Sequence, residues 1–225
     1  MKLAKHSKIL FAILTLMVII LGITEIRSVF NAASTIVAQA PELETKEVGP
    51  YTVPVTKSEF LNQLYENIET SMEGNASAQR QAVASAFVAD FFTLRDKENF
   101  SDVGGLGFVF EPVREQFRTN AIDSYYLDLY QFRAAFGQEN LPKVISVNVD
   151  DSTNLDLDSV ALNDNNDIPV RNVYDLTLTW QYEENDVVDT TNIINTARIR
   201  LVQDNDSRNW YVYAINQPIV TNWWG

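Results

Sequence analysis

The feature that most restricts this chain is an apolar run without charge at residues 9–23, preceded by Lys2, Lys5 and Lys8 and followed by Glu25 and Arg27. Such a run must be buried in protein or in lipid, and its length lies at the short end for a spanning helix. The three lysines ahead of it place the amino terminus on the cytoplasmic side. The expected order is a cytoplasmic tail at 1–8, a transmembrane helix at 9–24 and the rest of the chain outside a cell membrane crossed once. A removed signal peptide is the alternative, because Ala38-Gln39-Ala40 before Pro41 resembles a cleavage site. That site lies far beyond the apolar core, across Glu25 and Arg27, which favours retention. The mass of the mature chain separates the two cases.

The apolar pattern does not stop at the membrane. Leu16, Ile19, Ile23, Ile26, Phe30, Ala33, Val37 and Ala40 are spaced 3, 4, 3, 4, 3, 4, 3, which is a heptad seam. It predicts a helical stalk over 25–40, ended by Pro41, with Ile23, Ile26, Phe30, Ala33 and Val37 as candidate oligomerisation residues in a homo-oligomer. The other reading of the same spacing is a lone helix whose small and apolar side chains meet lipid.

Charge divides the chain in the same place. Residues 1–40 carry a net +3, so the remainder holds −16 of the total −13. A surface of that sign repels phosphate backbones, so no direct nucleic-acid binding by the outer domain is expected. With 46% apolar and 11% aromatic residues the outer part can bury a sizeable core. Cysteine is absent, which removes disulfides, thiolate nucleophiles and cysteine metal sites together.

Residues 41–55 hold Pro41, Gly49, Pro50 and Pro54 without periodicity and read as a linker. The outer domain is expected at 56–220, with a short tail at 221–225. Thr56-Lys57-Ser58-Glu59 matches a capping box, and Phe60, Leu64, Ile68 and Met72 then recur every four residues. A second helix is expected over 77–94, and a third from Pro112 to Gly137 with Phe117, Ala121, Tyr125, Leu129, Phe132 and Phe136 on one side. After Pro142 the period changes to two, clearest in Tyr174, Leu176, Leu178, Trp180 and Tyr182. Strands are also expected near 145–149, 193–202 and 210–217, with the Asp- and Asn-rich residues 150–167 as an exposed loop. Helices first and antiparallel strands second give an α+β domain, three helices packed on a four-stranded sheet.

Reactive groups are scarce. The single histidine, His6, lies on the cytoplasmic side of the expected anchor, which excludes imidazole chemistry from the outer domain. Asp156, Asp158, Asp164 and Asp167 lack the spacing of a calcium loop, so no metal site, cofactor or catalytic residue is assigned and the chain is not expected to be an enzyme. Gly104-Gly105-Leu106-Gly107 lacks the lysine of a phosphate loop and reads as a flexible joint. Asn75-Ala76-Ser77 is a glycosylation sequon, and Arg95 with Asp96 reads as a structural ion pair. Trp223 and Trp224 form either an exposed aromatic contact or a segment folded back on the domain.

Two segments carry a resemblance. Residues 91–100, Phe-Phe-Thr-Leu-Arg-Asp-Lys-Glu-Asn-Phe, and residues 208–213, Arg-Asn-Trp-Tyr-Val-Tyr, are similar to a helix end and a last-strand entry in the bitopic inner-membrane scaffold proteins of type IV secretion and conjugation machines. The order of basic tail, spanning helix, linker, three helices and sheet resembles the same family, with its Gram-positive conjugation members nearest. The resemblance implies a nuclear-transport-factor-two-like outer domain with a curved sheet. It also implies a non-catalytic assembly subunit whose partners are the membrane, further copies of itself and other subunits of the complex. A ligand-binding or enzymatic domain of the same fold is the alternative.

Overall fold

A computed structural model describes residues 44–163 and 166–216. They form an α+β arrangement of four helices and three antiparallel sheets, the largest four-stranded. The expected spanning helix and stalk lie outside the described residues, and so do Ile23, Ile26, Phe30, Ala33 and Val37. Among the described residues no helix is long and apolar enough to cross a membrane.

The expected linker is in part a hairpin. Strands β1 (Thr45–Val48) and β2 (Tyr51–Pro54) pair antiparallel around Gly49, which takes a left-handed φ of 56°. Val48, Tyr51 and Val53 are buried, and the Tyr51 hydroxyl donates 2.6 Å to the carbonyl of Trp210, 159 residues away. Proline and glycine here shape a turn whose strands are stabilised by distant contacts that no local pattern records.

Helix α1 (Glu59–Met72) starts two residues later than the capping box implies: Ser58 is the cap, accepting from the Leu61 amide at 3.3 Å, while Thr56 Oγ1 accepts from the Ser58 amide. Helix α2 (Ala76–Phe92) opens on Asn75, whose side chain accepts from the amides of Ser77 and Ala78, both at 3.0 Å, so the sequon asparagine is a helix cap. Eleven of its seventeen residues are buried, as befits a helix packed between α1 and the sheet. Its end is tied to the start of the sheet, since the amides of Leu94 and Arg95 both donate to the Pro142 carbonyl and Thr93 Oγ1 accepts from the Val144 amide.

The single helix expected from Pro112 to Gly137 is two, α3 (Arg114–Ser124) and α4 (Leu129–Phe136). The break lets Tyr126 enter the core, where its hydroxyl donates 2.6 Å to the Phe91 carbonyl and accepts from the Gly104 amide at 3.1 Å. Two strong buried hydrogen bonds outweigh the helical continuation that the apolar spacing implied.

The main sheet runs β3 (Val144–Asn154), β6 (Asn172–Tyr182), β7 (Thr196–Gln203), β8 (Trp210–Asn216), every neighbour antiparallel. Two register shifts in β3 and one at Tyr213 in β8 bend it. Tyr174, Leu176, Leu178 and Trp180 share the helix-facing side with Ile199 and Leu201 of β7. Asp175 faces the other way and is held by Arg200 in a two-pronged pair at 2.8 and 3.0 Å. The free edge of β8 meets Val109 in a parallel bridge, and the Phe110 amide donates to the Val212 carbonyl at 2.8 Å.

Residues 150–167 are largely strand instead of loop. β3 continues to Asn154, and β4 (Ser159–Asn163) pairs with β5 (Asn166–Pro169) as a hairpin. Val160 and the following Val170 are buried, which gives this polar segment its apolar attachment. Arg95 bridges to Glu183 and not to its neighbour Asp96, while its Nε donates 3.1 Å to the Leu141 carbonyl.

The glycine stretch is a packed seam and not a joint. A Cβ at Gly104 would lie 2.3 Å from the Asp90 carbonyl oxygen and 2.6 Å from Lys97 Nζ. Gly105 takes φ 74°, and a Cβ there would meet the Phe87 ring at 2.7 Å. Gly104→Ala is expected to destabilise the fold by about 1–3 kcal/mol through overpacking against backbone. A thermal midpoint lowered by several degrees checks this, and an unchanged midpoint refutes it.

Candidate functional site

Between α2 and the sheet the space is occupied by rings. Phe92 stacks on Trp180 with centroids 4.2 Å apart and planes 27° apart. Phe91 meets Phe117, Tyr125 and Tyr126 edge-on at 5.8, 5.1 and 5.5 Å. Phe91, Phe92, Tyr126, Leu176 and Leu178 are each at most 1% exposed. This is close packing of the kind found in protein interiors.

An accessible concavity sits to one side, a cleft of about 510 Å³ between α3 and β8, closed at one end by the β4–β5 hairpin. Its apolar wall is built by Phe117, Ala121 and Tyr125 with Phe91 behind them, facing Leu162 and Ile215. Gln116, Asn120 and Ser124 stand along α3 at spacings of four, which is why their polar groups line one edge of the opening. Tyr213, displaced by the β8 bulge, donates 2.5 Å to the Ala161 carbonyl and ties the hairpin to the cleft. Burial raises the Tyr213 phenol above its ordinary value, with Arg200 opposing and Asp167 adding to the effect.

Among the described lining residues the polar groups are amides, hydroxyls and the one carboxylate of Asp167. Such a set offers hydrogen-bond donors and acceptors along the opening. A second opening, of about 680 Å³, lies between Thr52, Phe110 and Tyr211 on one side and the turn Asp204, Asn205 and Asp206 on the other. Comparison of the chain with protein-family models, curated proteins and solved structures finds no match.

Of the aspartates weighed for calcium, Asp156 and Asp158 lie in the connection after β3 and Asp167 in β5 beside the cleft, while Asp164 is outside the described residues. Among the described residues no group of three or more carboxylates or other metal-binding side chains converges. Three buried charged residues, Asp90, Lys97 and Arg80, carry no role in the sequence analysis. Lys97 Nζ and Asp90 Oδ1 are 2.5 Å apart with both residues almost fully buried, and Asp90 Oδ2 accepts from the Gly105 amide at 2.7 Å. Burial pulls the Lys97 ammonium down, but Asp90, then Tyr126 and Asp102, outweigh it and hold its pKa above the ordinary value. Asp90 carried a signal, a lone carboxylate within Ala-Phe-Val-Ala-Asp-Phe-Phe; Lys97 in its polar turn carried none.

Arg80 is the third. It is 8% exposed, with its guanidinium carbon 3.7 Å from the ring centre of Tyr174 and 4.9 Å from that of Trp210. The aromatic faces take the place of a carboxylate there, since no ion pair to Arg80 forms among the described residues. Burial lowers its pKa, with Tyr174 opposing.

Proposed function

We propose that this chain is a non-catalytic, membrane-anchored assembly subunit of a conjugative transfer or type IV secretion complex, with an outer domain of the nuclear-transport-factor-two-like fold. The observation that carries the non-catalytic part of the reading is the aromatic filling between α2 and the sheet, with Phe92 stacked on Trp180 at 4.2 Å. Small-molecule sites are pre-formed concavities, and this space is filled by side chains. The order of helices followed by a four-stranded antiparallel sheet, with bulges in its two outer strands, supports the fold assignment. The assembly context draws on the basic tail and apolar run at the amino terminus, on the seam from Leu16 to Ala40, and on the likeness of residues 91–100 and 208–213 to the scaffold family.

Crosslinking in native membranes followed by purification of the chain is expected to recover other channel subunits and oligomers of the chain itself. Recovery of the uncrosslinked chain alone would remove the reading. Replacing Ile23, Ile26 and Phe30 together with serine is expected to abolish the self-crosslinked species while the chain still reaches the membrane; unchanged oligomers would leave the segment as a plain anchor. The alternative, a ligand-binding domain, draws on the 510 Å³ cleft. It requires saturable stabilisation of the purified chain by a small ligand.

A further inference from the structure

We propose that the second opening, between the β1–β2 hairpin and the turn at Asp204, is a docking groove for a basic, proline-rich segment of a partner protein, bound in an extended polyproline conformation. The inference rests on the groove's own residues and stands apart from the secretion-complex reading. Its floor is aromatic and already fixed. The Phe110 and Tyr211 rings lie 6.1 Å apart with planes tilted by 38°, and Tyr51 meets Tyr211 edge-on at 5.5 Å. Phe110 is buried whereas Tyr211 is half-buried, so the tyrosine ring is the one an occupant touches. Pro50, Pro112 and Pro169 also line the groove, all three exposed, and a ring-locked φ keeps those walls in shape without an occupant. A groove built in advance spares the partner the cost of ordering it.

Charge selects the sign of the partner. Glu111, Asp204 and Asp206 line the groove against one cation, Arg114. The Arg114 guanidinium is spent on the Val109 carbonyl, to which its Nη2 donates at 3.1 Å. Asp204 in turn accepts from the Ser207 amide and hydroxyl at 2.8 and 2.6 Å. Glu111 and Asp206 are exposed and form no ion pair among the described residues. Uncommitted carboxylates beside an aromatic floor favour lysine or arginine, whose charge meets the acids while the apolar stem lies on the ring. Anionic partners are repelled.

Backbone chemistry selects the conformation. Strand addition is closed off here, because the edge of β8 next to Tyr211 is covered: Val109 bridges Val212, and the Phe110 amide donates to the Val212 carbonyl. A helix bonds its own carbonyls internally and would leave the groove's donors unused. A polyproline segment has no internal hydrogen bonds, so its carbonyls are free to accept. The Tyr211 hydroxyl and the Asn205 side-chain amide line the groove and bond nothing else among the described residues, which makes them the donors. Aromatic-lined grooves take such segments because the ligand is already extended before it binds.

The test uses the full-length protein in nonionic detergent and a fluorescein-labelled peptide of alternating proline and leucine with lysines at both ends. Anisotropy is expected to show saturable binding that weakens at least about tenfold when glycine replaces every proline, since the ordering cost then returns. Glu111→Lys with Asp206→Lys is expected to weaken binding at least about tenfold at low salt. Tyr211→Leu is expected to do the same by about tenfold or more. Circular dichroism checks that the variants fold, and if Tyr211→Leu does not, the charge reversals at two exposed positions decide alone. Absence of saturable binding, equal binding of the glycine peptide, indifference to the charge reversals, or tighter binding of a lysine-rich amphipathic helix each overturns the proposal. No channel subunit enters these measurements, so their failure leaves the secretion-complex reading where it stands.

Discussion

Asp90→Ala is expected to cost about 3–5 kcal/mol of folding stability, because it leaves the Lys97 ammonium buried without its counter-charge. Lys97 is 5% exposed, so water does not replace the lost carboxylate, and the Gly105 amide loses its acceptor in the same step. Urea unfolding of the purified chain, followed by tryptophan emission, reads the loss as a lower midpoint at unchanged slope. The double variant Asp90→Leu with Lys97→Met is expected to regain most of it, since an apolar pair of similar volume carries no desolvation cost. A single variant within about 1 kcal/mol of the native chain would place the pair in contact with solvent and refute the account. The pH dependence is set by the raised pKa of Lys97. A cation whose folded pKa lies above its unfolded value stabilises fully below the unfolded value and loses that contribution as pH rises through the folded one. The pair therefore holds through neutral pH, and its contribution fades only in solutions more alkaline than the ordinary lysine value of 10.5.

Trp180→Ala is expected to be as damaging, at about 3–5 kcal/mol, the cost of removing a large buried aromatic and leaving a cavity behind it. Trp180 is 2% exposed and lies under the Phe92 ring, with Tyr182 edge-on to it at 6.5 Å, so the neighbours are themselves constrained and collapse into the space only partly. Far-UV circular dichroism during urea unfolding measures the effect without relying on the deleted fluorophore. A loss below about 1 kcal/mol would mean that the stack is peripheral to the core and would weaken the case for a filled interior. The experiment bears on function as well as stability, because the same packed rings are what disfavours a small-molecule chamber between α2 and the sheet.

Legibility tracked the range of the interactions. Strands β6, β7 and β8 were visible because alternation along one segment records which side meets water, and Tyr174 to Tyr182 keeps that alternation almost without interruption. Helices α1 and α2 were visible for the same reason, with ends moved by one or two residues by the capping choices of Ser58, Asn75 and Thr93. The helix from Pro112 to Gly137 was misread because its apolar spacing continues through Tyr125 while the backbone does not. What breaks it is the Tyr126 phenol at the break, whose partners Phe91 and Gly104 lie 35 and 22 residues away. The candidate site was less legible still. Gln116, Asn120 and Ser124 are ordinary polar residues on a helix until the β8 bulge and the β4–β5 hairpin close a cleft beside them.

From its sequence alone the chain determined the alternation of its strands, the apolar faces of α1 and α2, the division between a basic amino-terminal stretch and an acidic remainder, and the lack of imidazole and thiol chemistry beyond residue 6. Each of these is a property of residues near one another or of bulk composition. Tertiary structure alone decided that Tyr51 would anchor a hairpin to Trp210, that Asp90 would meet Lys97 beneath Gly104, and that a polar stretch after β3 would fold into a hairpin over the cleft. Those contacts join groups whose burial only becomes favourable once a distant partner is in place, so no local period carries them.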